Sequence, residues 1–77
     1  MEQQVKFIWD FYGSESLGIA KHHVIHLKEY CQNNNLDNYQ SDIEELEGGY
    51  QAYLILKEPD AITAHGFLKP MSAVVVK

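Results

Sequence analysis

The hydrophobic spacing of this chain changes period abruptly at Gly13-Ser14. Upstream, Val5, Phe7, Trp9 and Phe11 alternate with Lys6, Ile8, Asp10 and Tyr12, the period of a β-strand. Downstream, Leu17, Ala20, Val24, Leu27 and Cys31 recur at the spacing of a single helix stripe. A strand that runs directly into a helix has to bury one apolar surface against the other. A chain of 77 residues has room for one small core in which to do it. The spacing predicts a helix from about Glu15 to Cys31 or Gln32, capped by Ser14 or Ser16. Asn33-Asn34-Asn35 ends it, because Asn tolerates the left-handed backbone of a helix exit.

The second half of the chain is read the same way. Tyr39 to Leu46 forms an acidic strand suited to a sheet edge, where charge discourages pairing with another chain. Gly48-Gly49 is a hairpin signal, since both residues accept positive φ. Tyr50 to Lys57 is apolar on both sides and belongs at the sheet centre. Pro59-Asp60 can open a short helix that Gly66 stops, barely two turns from Pro59 to His65; a loop there instead would leave a related α+β sheet with one long helix. The last strand, Ser72 to Lys77, contains Val74-Val75-Val76 and is expected to be buried on both sides.

The resulting order, strand-helix-strand-strand-helix-strand, resembles the ferredoxin-like superfold over nearly the whole chain, read as one α+β domain, 1-77. The resemblance implies a four-stranded antiparallel sheet with both helices on one face and the second helix short. The third strand would insert between the first and second, leaving the first and third central. It is a resemblance of topology, and this fold hosts many unrelated functions. A Cys-x-x-Cys metal-transfer loop, a basic-aromatic RNA-binding strand and an acylphosphatase-like arginine are all missing from the sequence.

Charge narrows the partners. Acidic residues outnumber basic ones 11 to 6, for a formal charge of -5, and every basic residue is a lysine. Without arginine the chain lacks the bidentate fork that reads bases and clamps phosphates, so no nucleic acid partner is expected. Cys31 is the sole cysteine, which excludes an internal disulfide and a multi-thiolate metal site. Met1-Glu2-Gln3-Gln4 has neither a positive segment nor an apolar run, and no apolar stretch approaches membrane-spanning length. A soluble cytoplasmic chain, with no membrane association, is the expectation.

Three of the four histidines cluster in His22-His23-Val24-Ile25-His26. On a helix, His22 and His26 face the same way, opposite the apolar stripe. Imidazoles at this spacing can share a Zn²⁺, Ni²⁺ or Cu²⁺ ion, and Glu29 is placed to supply a third ligand. The spacing is not that of a zinc protease, because no Glu follows the first His. The plainer alternative is a set of solvated surface histidines with no cofactor. His23 points toward the edge of the core stripe, and His65 is not placed by the pattern.

Other chemistry is weaker. Asp10, Glu15 and His23 form an acid/base group only if the fold brings them into one pocket. Gly13-Ser14-Glu15-Ser16 offers helix-start amides, but Glu15 opposes an anion there. Cys31, on the apolar stripe, reads as a buried inert thiol. The acidic run Asp42 to Glu47 reads as a solvated edge.

The face of the sheet away from the helices carries Ile8, Tyr12, Tyr53 and Ile55, too apolar for a purely solvated surface. The favoured reading is a non-enzymatic module that forms a homodimer, or binds a protein or small-molecule partner, through this face. Two alternatives stand beside it. One is a dimeric α+β-barrel enzyme in which Tyr53, Tyr12 or a histidine does acid/base work. The other is a transition-metal-binding domain using the helix histidines.

Overall fold

The computed structural model describes residues 3–76; Lys77, the expected last residue of the final strand, lies outside them. The elements are β1 (Gln4–Tyr12), α1 (Ser16–Asn33), β2 (Gln40–Leu46), β3 (Gly49–Lys57), α2 (Glu58–Leu68) and β4 (Ser72–Val76). The strands form one open four-stranded sheet in the order β2-β3-β1-β4, and every neighbouring pair is antiparallel. β3 thus lies between β1 and β2, and β1 and β3 are the central strands.

Register places Phe7 opposite Leu54 and Trp9 opposite Ala52. Together with Leu56 these residues form the covered face. Ala20, Val24, Leu27 and Cys31 of α1 and Ala61 and Ala64 of α2 close over them in one core. Both helices lie on this face, since His23 of α1 meets Trp9 and His65 of α2 meets Phe7.

The expected helix stripe is shifted at its start. Ser16, not Leu17, is the first buried residue of α1, and Leu17 is 36% exposed. The Ser16 hydroxyl can be buried because it donates to the Gly13 carbonyl at 2.7 Å. Glu15, rather than either serine, occupies the N-cap position, and no side chain caps the helix there. The helix exit follows the Asn run. Asn35 has φ 57°, its N–H donates to the Gln32 carbonyl, and the Leu36 N–H donates to the Cys31 carbonyl at 2.9 Å. This is a Schellman motif, and Leu36 packs on the core beside it.

Three further expectations are corrected. The second helix is longer than the Pro59–His65 segment: it has 11 residues and passes through Gly66. It ends where Lys69 takes a left-handed φ of 48° ahead of Pro70. The hairpin turn is Glu47-Gly48, because Leu46 already pairs with Gly49. Gly48 supplies the positive φ (82°), whereas Gly49 is needed for space: a Cβ there would fall on the Phe11 carbonyl oxygen. Finally, β4 is not buried on both sides. It is an edge strand paired only with β1, and Val74 and Val75 are 47% and 51% exposed. The reason is reach: α2 packs on β1 and β3 and leaves β4 uncovered.

Candidate functional site

The open face is built by the residues of β1 and β3 that alternate with the core set. Ile8 stands opposite Tyr53 and Lys6 opposite Ile55, so Ile8, Tyr53 and Ile55 share the centre of this face. All three are partly buried although no helix covers them, because neighbouring strands shield them laterally. Tyr12 lies at the far end of β1, opposite Gly49, and is largely exposed. The strip is crossed by polar groups. Lys6 extends over the Tyr53 ring at 4.6 Å and reaches Glu44 at 3.5 Å. The Gln51 side-chain amide donates to the Asp10 carboxylate at 3.0 Å. The face therefore presents apolar and aromatic surface framed by one ion pair and one amide–carboxylate hydrogen bond.

Burial holds the Tyr53 phenol above its ordinary range, with the Asp42 and Glu44 carboxylates adding to the shift. It stays protonated at neutral pH and can donate a hydrogen bond, but it is poorly placed to act as a base. Asp10, Glu15 and His23 are not brought together. Asp10 is on the open face, His23 lies on the other side of the sheet against Trp9 and Phe11, and Glu15 is exposed at the start of α1. Cys31 is buried in the core, and burial, followed by the Asp60 charge, pushes its thiol up to about 11. A thiol in that state is a packing group rather than a nucleophile.

The helix histidines divide as their spacing requires. His22 and His26 project together from α1, with their Nε2 atoms 2.9 Å apart and their ring centres 4.5 Å apart. Glu29 approaches His26 on the opposite ring nitrogen, Oε1 to Nδ1 at 3.4 Å. The carboxylate thus lies behind His26, away from the hydrogen bond that joins the two Nε2 atoms. Among the described residues, no group of three or more His, Cys, Asp or Glu side chains converges on one point. His23 turns inward, its ring centre 4.6 Å from that of Trp9 and 5.6 Å from that of Phe11. Its buried Nε2 has no hydrogen-bond partner among the described residues. Burial lowers its pKa, and the neighbouring His26 and His22 lower it further.

One feature was not anticipated from the sequence. A groove of about 320 Å³ runs between α2 and the β1–β4 side of the sheet, lined by Val5, Phe7, Glu58, Ala61, Ile62, His65 and Ala73. The small side chains of Ala61 and Ala73 were the only signal for it, and they gain meaning only once α2 and β4 are placed side by side.

No helix among the described residues is long and apolar enough to cross a membrane. No family model matches the chain, and neither does any curated protein or solved structure.

Proposed function

We propose that this chain is a small, non-enzymatic, cytoplasmic interaction module that works by binding through its open sheet face, either to a second copy of itself or to a protein or small-molecule partner. The observation that carries this reading is the grouping of Ile8, Tyr53 and Ile55 on the two central strands, on the face opposite both described helices. Tyrosine suits such a surface because its ring can be covered while its hydroxyl keeps a polar partner. A domain this small without a disulfide also gains stability by associating. The strand order β2-β3-β1-β4, with both helices on one face, supports a ferredoxin-like reading of the fold, in which an open sheet face is left free.

Sedimentation velocity over a concentration series tests the proposal. The native chain should form a dimer, and Ile55→Lys, which places a charge in the strip, should shift it toward monomer while leaving the fold intact. A native chain that stays monomeric at high micromolar concentration and binds no partner would remove the proposal.

A second reading is favoured by β4, whose outer edge has no strand beside it and whose residues from Ser72 to Val76 carry no charge. An uncharged edge of this kind accepts an extended strand through its free backbone groups. Two copies joined along β4 would keep their acidic β2 edges at opposite ends of a continuous sheet, about 33 Å apart at the usual strand spacing and well beyond a Debye length. Val75 lies on the helix side of β4, so Val75→Lys weakens this association without touching the open face.

A further inference from the structure

We infer that His22 and His26 form a solvent-exposed two-imidazole site for a divalent late-transition ion, with Glu29 holding His26 in its ligating orientation. This inference is independent of the open face and of β4. The argument is geometric. Metal–imidazole bonds are about 2.0–2.1 Å long, so nitrogens 2.9 Å apart subtend roughly 90° at a shared ion. Rings aimed at that common point would have centres about 4.5 Å apart, given the size of an imidazole. The centres are 4.5 Å apart. A straight N–H···N hydrogen bond of the same length would separate them by about 5.2 Å. The two Nε2 atoms therefore share a bent hydrogen bond, and a bound ion would take the place of its proton between them.

Glu29 supports the same assignment. Its carboxylate meets Nδ1 of His26 at 3.4 Å, while Nε2 of the same ring faces His22. A ligating imidazole characteristically donates its other N–H to a carboxylate, which fixes its tautomer and orientation. At 3.4 Å the pair is an ion-pair contact, short of a formed hydrogen bond, and in the proposed site Glu29 closes on Nδ1 as a positioning residue in place of the third ligand suggested by the sequence. A near-right angle between two imidazoles suits the tetragonal or square-planar preference of Cu²⁺ and Ni²⁺ better than the tetrahedral preference of Zn²⁺. The remaining positions would be filled by water. Both histidines are exposed on α1, an 18-residue helix whose opposite stripe is fixed in the core, so the ligands are held on a rigid element with open access.

The test is calorimetric titration of the full chain with Cu²⁺, Ni²⁺ and Zn²⁺ as buffered salts, with electron paramagnetic resonance of the Cu²⁺ form. The expected result is one ion per chain, affinity in the order Cu²⁺, Ni²⁺, Zn²⁺, and a copper spectrum showing two equivalent nitrogen ligands. His22→Ala and His26→Ala should each reduce Cu²⁺ affinity at least tenfold, and Glu29→Gln should reduce it about tenfold while keeping the two-nitrogen spectrum. Circular dichroism of the variants should match the native chain, since all three side chains are exposed. Copper binding that survives the double His22→Ala, His26→Ala substitution would overturn the inference, as would no binding of any of the three ions at micromolar concentration. An unchanged affinity in Glu29→Gln would overturn the positioning role.

Discussion

At one edge of the sheet, β2 carries Asp42, Glu44 and Glu45 among seven residues; at the other, β4 carries no charge and exposes Val74 and Val75. Both strands have a single hydrogen-bonded neighbour, so both present a row of free backbone groups. Their sequences handle that exposure in opposite ways. β2 is guarded by like charges, which oppose the approach of any strand from a second copy. β4 has no such guard, and Ile62 of α2, 72% exposed, lines the groove beside it. The helices divide along the same line. α1 buries five residues and covers β1, β2 and β3, whereas α2 buries only Ala61 and Ala64 and stops short of β4. One half of the molecule is closed by its own core and the other is left for something else to close.

The largest effect should come from the closed half. Leu27 is 1% exposed at the centre of the core, and Leu27→Ala should cost about 2–5 kcal/mol in a denaturant melt. The matching truncation on α2, Ile62→Ala, should change stability by less than about 0.5 kcal/mol, because that side chain packs on little. Equal losses at the two sites would erase the contrast between the halves.

The β2–β3 turn offers a sharper probe of the guarded edge. Gly49→Ala would press a methyl group onto the Phe11 carbonyl and should cost about 1–3 kcal/mol. Gly48→Ala should cost about 1 kcal/mol from its positive φ alone. If the two substitutions were reversed in size, the assignment of one glycine to space and the other to conformation would fail.

Association separates the edges directly. For copies joined along β4, Val75→Lys should weaken self-association about tenfold or more in sedimentation velocity and Glu45→Lys on β2 should leave it unchanged, whereas a dimer through the open face should respond to Ile55→Lys instead. A stronger response at β2 would show that the charged strand is the contact.

The smallest expected effect is a pH dependence confined to the α1 side. His23 has a folded-state pKa below its unfolded value of about 6.5, so the unfolded chain binds more protons in this range. Its contribution to stability is full above pH 6.5 and is lost as the pH falls from there through the lower folded-state value. Comparing native and His23→Phe melts from pH 7.5 to about 5 should show a steeper decline in the native chain. Parallel curves would mean that burial of His23 does not bear on its protonation.

Much of this architecture was legible because it rests on local rules. Alternation in Val5 to Phe11 set which side of β1 faces the helices, and the core keeps that side. The Asn run marked the end of α1 because Asn35 can take positive φ. The four-residue spacing of His22 and His26 put both rings on one exposed face. Where sequence reading went astray, the outcome depended on a neighbour. Leu17 fits the helix period, yet Ser16 is buried in its place because the Gly13 carbonyl is there to accept its hydroxyl. Gly66 looks like a helix stop, but the backbone continues through it to Lys69.

The sequence by itself determined periodicities, turn chemistry and the spacing of the histidines, since each depends on residues a few positions apart. Only the tertiary structure decided which apolar residues would be covered. Val74-Val75-Val76 has the composition of a buried strand, yet Val74 and Val75 are exposed because α2 lies over β1 and β3 and reaches no further. Likewise, Asp10 and His23 are separated by the sheet itself, and the alignment of Glu29 behind His26 depends on side-chain directions that spacing leaves open. Burial is a property of what packs above a residue, and in this chain that is set by the length and placement of a helix encoded elsewhere in the sequence.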